Sequence, residues 1–130
     1  MTTVLLDTHV LLWWSSQPER LSGTATEAIT RADEIAIASI SWFELAWLAR
    51  NERIVVSIPL LSWLQGLSAQ VRTVGITPAI AAAAVSLPSS FPSDPADRLI
   101  FATAVEHSWA LVTKDDRLRQ HQHPQQVTIW

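Results

Sequence analysis

Hydrophobic positions along this chain follow two rhythms that alternate. Short continuous apolar runs are separated by stretches in which apolar residues recur every three or four positions. Thr3-Val4-Leu5-Leu6 is such a run, and its lack of alternation predicts a strand buried on both faces. Val10 to Trp14 continues as a helix as far as Gln17-Pro18, and a second helix is expected over about Ser22 to Ala32 with Ser22 as its cap. Glu34 to Ser39 suits a second strand. Ser41 then opens a helix to about Arg50, and Asn51-Glu52-Arg53 is a turn. Ile54 to Ile58 reads as a brief extended piece, after which Pro59 starts a helix carrying Leu60, Leu61, Trp63, Leu64 and Leu67. Val71 to Ile76 is a third strand, and Thr77-Pro78 begins an alanine-rich helix that Pro88 closes.

The most informative stretch runs from Asp94 to Asp115. Ser93 or Asp94 caps a helix whose first turn holds Pro95, and Ile100, Phe101 and Ala104 form its buried stripe. Trp109 to Val112 is a short core strand, and Asp115 leaves its end. A polar helical turn, a loop through His121-Gln122-His123-Pro124 and a last strand over Val127 to Trp130 complete the chain.

Strands alternating with helices predict an α/β fold, a parallel sheet covered by helices on both faces. No repeat, low-complexity run or linker divides the 130 residues, so one domain over 1–130 is expected. In such sheets ligands sit beyond the carboxyl ends of the strands. Asp7 ends the first strand, Glu44 lies one helical turn past the second, and Asp115 follows the fourth. A helix leading into a parallel strand runs antiparallel to it, so Asp97 at the helix start should meet Asp115 at the strand end. Topology thus predicts four carboxylates on one edge.

Composition narrows the chemistry. There are no cysteines, so disulfides and thiolate metal sites are excluded. The formal charge of −3 and the lack of a basic block argue against a nucleic-acid binder that works by charge attraction alone, though not against one whose positive charge is carried by metal ions. No apolar run reaches the roughly 18 residues of a membrane span, and Met1 leads directly into strand-like sequence, which points to no membrane association and a cytoplasmic protein. Clustered carboxylates repel unless compensated, and Mg²⁺ or Mn²⁺ is the usual compensation for an all-oxygen set. Each acid also has a plainer reading. Glu44 can complete a capping box with Ser41, Asp97 can favour the helix dipole, Asp94 reads as a cap, and Asp115-Asp116 can be a solvated turn. Asp7 resists such a reading, because an acid ending an apolar strand is costly unless paired or hydrated.

Asp7-Thr8-His9 after a first strand, Ser41-x-x-Glu44-Leu45, Asp94-Pro95-x-Asp97-Arg98-Leu99-Ile100-x-Ala102-Thr103-Ala104 and Leu111-Val112-Thr113-x-Asp115 together resemble the PIN-domain ribonucleases, and among them the VapC-type toxins of bacterial toxin–antitoxin pairs. The resemblance spans nearly the whole chain in order. It implies a three-layer α/β/α fold around a five-stranded parallel sheet, a Mg²⁺- or Mn²⁺-dependent endoribonuclease acting on RNA, a homodimer, and a cognate antitoxin whose C-terminal segment occludes the site. Carried over by position, Asp7, Glu44, Asp97 and Asp115 match the family's catalytic acids. Asp7, Asp97 and Asp115 are the expected metal ligands, and Thr113 matches a supporting hydroxyl. Two departures stand out: many members have Asn where this chain has His9, and Asp116 doubles the last acid. Thr113-x-Asp115 keeps the family spacing.

Other residues carry further expectations. His9 can touch substrate, orient Asp7, or be satisfied locally. Arg98 can balance the carboxylates, hold a phosphate, or serve as a structural ion-pair partner. His121-x-His123 has the look of a metal pair, but beside Pro124 and three glutamines it reads as a solvated loop. Lys114 after Val112-Thr113 resembles the receiver-domain pattern, whose paired acids after the first strand are absent. Trp42 and Trp47 lie five apart on one helix and cannot share a buried face; with Trp13 and Trp14 they suggest an aromatic partner groove. A DNA-directed nuclease and a catalytically silent partner-binding module are the rival functions.

Overall fold

A computed structural model describes residues 1–130. The chain runs β1 (Thr3–Leu6), α1 (Thr8–Ser16), α2 (Gly23–Arg31), β2 (Glu34–Ala38), α3 (Ile40–Arg50), α4 (Leu60–Ser68), β3 (Arg72–Val74), α5 (Pro78–Ser86), α6 (Pro95–His107), β4 (Ala110–Val112), α7 (Asp116–Arg119) and β5 (Thr128–Ile129), with a short 3₁₀ turn at Pro18–Arg20. All strand pairs are parallel, in the order β3-β2-β1-β4-β5. The first strand is central. The chain winds outward on one side through β2 and β3, then crosses to the other side for β4 and β5. The reversal point lies between β1 and β4, where a doubly wound sheet opens a crevice.

The continuous apolar runs are explained by cover on both faces. Leu5, Ala36, Ala38 and Leu111 face a core shared with Ile100, Phe101 and Ala104 of α6. Val4, Leu6, Ile37 and Val112 face the opposite way, against Val10 and Leu11 of α1, Ile29 of α2, Leu45 of α3 and Leu67 of α4. On the outside, α5 packs on α6 through Ile80, Ala84 and Ala102. The result is the expected three-layer α/β/α arrangement around five parallel strands.

Local chemistry sets the element ends near the carboxyl edge. Asp7 caps α1, Ser22 caps α2 and Asp94 caps α6, each through its side chain. Pro95 occupies the first position of α6, and Ser108 ends that helix in the left-handed region, its backbone N–H returned to the last carbonyls. Ile54 to Ile58 forms neither helix nor paired strand, and one local expectation is corrected. Ser41 does not cap α3: the helix begins at Ile40, so Ser41 lies inside its first turn, fully buried, and the capping box with Glu44 does not form.

Candidate active site

The carboxyl edge holds a cleft of roughly 400 Å³ lined by Asp7, Glu44, Asp94, Asp97 and Asp115 among its eleven residues, with His9, Trp13, Lys114 and Arg117 around them. Four different elements deliver the acids. Asp7 is fixed at the end of β1 by its N–H donating to the carbonyl of Val112 on β4, at 3.0 Å. One of its carboxylate oxygens accepts from the Thr8 N–H at 2.8 Å and the other from the Thr113 hydroxyl at 2.6 Å. Thr113 is fully buried, and its hydroxyl in turn accepts from the Asp115 N–H at 3.0 Å, so one side chain locks two of the acids in register. The Thr8 hydroxyl does a similar service on the other wall: it donates to Glu44 Oε1 and shares a hydrogen bond of 2.9 Å with Ser41 Oγ. With its capping role absent, Glu44 is instead held at the cleft.

Asp97 is 7% exposed on the first turn of α6, facing the cleft. Its charge is opposed by a single guanidinium. Arg117 Nη2 lies 3.2 Å from Asp97 Oδ2 and 2.7 Å from Asp115 Oδ2, while Arg117 Nε donates to Asp115 Oδ1 at 3.1 Å. Asp116 takes no part: it faces solvent and pairs with Arg119. Of the doubled acids, Asp115 therefore lines the cleft.

Electrostatics separate the members of this set. Burial, with only partial relief from the hydrogen bond of Thr113, raises the Asp7 carboxyl above the usual range. Burial also raises Glu44, opposed by the Thr8 hydrogen bond. Asp97 is pushed up to about 7, first by desolvation and then by the neighbouring charges of Asp94 and Asp7. Asp115 moves the other way, held low by its hydrogen bonds with Arg117. Burial thus raises three of these adjacent acids while an ion pair lowers the fourth, the kind of contrast within one cleft that makes it a candidate functional site. The donor set is all oxygen and over-supplied with negative charge, which fits a hard divalent cation. With Arg117 bridging Asp97 and Asp115, no three acidic or His side chains are yet disposed to coordinate one ion.

Several expected site residues fall elsewhere. Arg98 does not face the carboxylates. Its guanidinium donates to the carbonyls of Ala84, Leu87, Pro88, Phe91 and Pro92, gathering the α5–α6 loop, because it is rotated round the helix from Asp97. Trp13 forms a cleft wall, 8% exposed, with the guanidinium of Arg20 4.6 Å from its ring and Trp130 edge-on at 6.1 Å. Trp14 and Trp42 pack against the helical core, and Trp42 Nε1 donates to Thr73 Oγ1 at 3.0 Å. Only Trp47 of the four tryptophans lines an apolar cleft, beside Phe43, Ile40, Leu48 and Pro95. Phe43 precedes Trp47 by four residues, a spacing that the sequence already displays. His9 lies between the acidic and apolar clefts, its ring 5.9 Å from that of Trp13. His121 is not simply solvated: its ring packs edge-on to Phe91 and Phe101 at 5.1 and 5.4 Å. Arg117 had no reading in the sequence, while Thr8 appeared there only within the Asp7-Thr8-His9 motif and Lys114 only in a receiver-domain pattern; all three line the cleft. The Asp115-x-Arg117 spacing at a helix start was the available signal for the first.

Comparison with known proteins adds to this geometry. A family profile described as "PIN domain" matches residues 4–124. The chain is 69% identical over 130 residues, covering all of both sequences, to "Ribonuclease VapC22" of Mycobacterium tuberculosis. Among solved structures it is similar to a toxin–antitoxin complex from Klebsiella pneumoniae, with a TM-score of 0.66 and 23% identity over 89% of each chain. It is also similar to a DNA-bound VapBC from Salmonella typhimurium, with a TM-score of 0.70 and 17% identity over 93% of this chain and 92% of that one. At those identities the solved structures speak for the fold, whereas the profile and the full-length relative speak for descent. The chain belongs to the PIN-domain family, on its VapC branch.

Proposed function

We propose that this protein is a divalent-metal-dependent endoribonuclease, the toxin of a toxin–antitoxin pair. The observation that carries the reading is the desolvated Asp97 beside Asp7, Asp115 and Glu44, four carboxylates around one cleft with a single guanidinium to offset them. Asp7, Asp97 and Asp115 are the residues that would hold Mg²⁺ or Mn²⁺. Such an ion supplies an activated water and stabilises the charge that develops on the leaving oxygen of a phosphodiester. The chain's own residues do the positioning. Thr113 fixes Asp7 and Asp115 against each other, and Thr8 holds Glu44 by Oε1, leaving Oε2 to orient or accept a proton from the attacking water. Trp13 and Val10 exclude water from one side of the cleft, and Lys114 and His9 stand at its rim, where an anionic RNA strand passes.

A cognate antitoxin belongs to the same reading, supported by the toxin–antitoxin complexes among the structural neighbours. The apolar cleft with Trp47 and Phe43 adjoins the acidic one and shares His9, Glu44 and Asp94 with it. A partner helix that is apolar along its length and ends in Arg or Lys suits both surfaces. A homodimer of single-domain chains and a cytoplasmic setting complete the proposal; no helix is long and apolar enough to cross a membrane.

Purified protein incubated with RNA and with DNA of the same sequence, in Mn²⁺ and in EDTA, tests the activity. Cleavage of RNA alone, abolished by EDTA, is expected. Cleavage of DNA alone would favour the DNA-directed nuclease, and no cleavage of either by a well-folded protein that still captures an antitoxin would favour the silent module.

A further inference from the structure

Arg117 holds an unusual position for a side chain of a metal site. It lies on a four-residue helix, α7, and its guanidinium closes a fork on Asp115, with Nε at 3.1 Å from Oδ1 and Nη2 at 2.7 Å from Oδ2. The same Nη2 reaches across to Asp97 Oδ2 at 3.2 Å. One guanidinium thus spans two acids delivered by different elements, in the place that a shared cation would take. Its hold is lopsided: three bonds from backbone and side chain tie it to Asp115, whereas Asp97 receives one long contact. The Arg117 side chain is 63% exposed, so it can leave Asp97 without disturbing the core.

A monovalent guanidinium also under-compensates the cluster, to which a divalent ion brings twice the charge in a smaller volume. Arginine keeps its proton throughout, so it yields the place by moving rather than by titrating. It has somewhere to go. Arg117 also lines a second, neighbouring cleft of roughly 810 Å³ whose other walls are Pro88, Pro92 and the polar residues Ser90, Ser93, Gln120, His121 and Gln122, with no acid among them. A guanidinium turned toward that surface meets hydroxyl and amide groups but no carboxylate, and the partner it best suits there is a phosphate.

Building on the ribonuclease reading, we propose that Arg117 is the site's resident counter-cation. It bridges Asp97 and Asp115 until a divalent ion displaces it, and it then serves as a ligand for an RNA phosphate passing into the neighbouring polar cavity. Substrate and ion are thereby linked, because the arginine becomes available to RNA once the ion has taken its carboxylates.

The test uses Mn²⁺ calorimetry on the RNA-free full chain, for wild type, Arg117→Gln and Arg117→Lys. Arg117→Gln is expected to bind Mn²⁺ about 3- to 10-fold more tightly than wild type, with Arg117→Lys close to wild type because it keeps the charge. Binding of a 2′-O-methyl RNA oligonucleotide in Mn²⁺ is the second readout. Arg117→Gln is expected to weaken it and to reduce the salt slope by about one phosphate contact. If wild type binds Mn²⁺ well and Arg117→Gln binds it no more tightly, Arg117 is a structural partner of Asp115 and the inference falls while the ribonuclease reading stands. Tighter Mn²⁺ binding with an unchanged RNA salt slope removes the phosphate role. Failure of all three proteins to bind Mn²⁺ overturns both readings.

Discussion

The two ends of the sheet treat acidic residues in opposite ways. At the amino end, Asp33 accepts the Thr2 N–H at 2.7 Å, and Glu34 accepts Arg72 Nη1 at 2.9 Å and the Thr3 hydroxyl at 3.3 Å. Those groups stay open to solvent, with Glu34 and Arg72 exposed by 35% and 52%. Each acid has its own partner, and water screens what remains. At the carboxyl end, Asp97 is 7% exposed, Asp7 is raised chiefly by desolvation, and Arg117 alone forms ion pairs with the cluster. Being at the end of a strand therefore does not make an acid functional. The distinguishing property is desolvation without a matching cation for each acid, a cost that the folded chain meets by holding protons on the carboxyls and that a bound cation would also meet.

Activity should break the symmetry most. Asp7→Asn and Asp97→Asn are each expected to lower Mn²⁺-dependent RNA cleavage by at least about 100-fold, with the fold retained, while Glu34→Gln stays within about twofold of wild type. Initial rates on a single RNA, with circular dichroism to verify folding, make the comparison. Undiminished cleavage by Asp7→Asn would undo the assignment of the carboxyl end.

The pH dependence of stability in EDTA should differ next. Asp97 keeps its proton up to about pH 7 in the folded chain but loses it near 3.8 when unfolded, so between those values the folded state holds the extra proton. Stability of the metal-free protein should fall as pH rises from about 4 to about 7, by on the order of a few kcal/mol, and level off above. The raised carboxyls of Asp7 and Glu44 act in the same direction. Asp97→Asn should flatten the decline and melt higher than wild type in EDTA above pH 7, and excess Mn²⁺ should stabilise wild type more than the variant. Denaturant midpoints across that range give the answer; a wild-type curve that climbs with pH would show that Asp97 is ionised at little cost.

The smallest effects concern partners of the acids. Thr113→Val removes the donor to Asp7 Oδ2 inside the fold and should cost about 1–3 kcal/mol, whereas Glu34→Gln, losing an exposed pair, should cost less than about 1 kcal/mol. Equal costs for the two would erase the distinction between the ends.

Much of this was legible in the chain itself, for identifiable reasons. Leu5 and Leu6, pointing to opposite faces, are both fully buried as their unbroken apolar run implies. Asp94, Pro95 and Ser22 mark helix starts through short-range chemistry that needs no tertiary partner. Parallel connection through α6 required only that a helix return antiparallel to its strand, and this is enough to bring the Asp97 and Asp115 elements to one edge.

Where the sequence misled, two arrangements were equally good locally. Ser41 and Glu44 have capping-box spacing, but α3 starts one residue earlier and the Thr8 hydroxyl, 36 positions from Glu44, takes its carboxylate instead. Asp97 and Arg98 are neighbours with opposite fates because a helix turns adjacent side chains about 100° apart, toward the cleft in one case and toward five loop carbonyls in the other. Trp42 and Trp47 were rightly separated in direction by their spacing, yet only the packing of the helices placed Trp42 against the core and Trp47 in the apolar cleft. Hydrophobic period, caps and the antiparallel return of each helix to its strand determined the elements, their order and the edge at which the acids gather, since each acts over a few residues. The identity of the cation held among those acids was decided only by the folded chain, because a guanidinium reaching from α7 to α6 is a contact across 20 positions that no local pattern encodes.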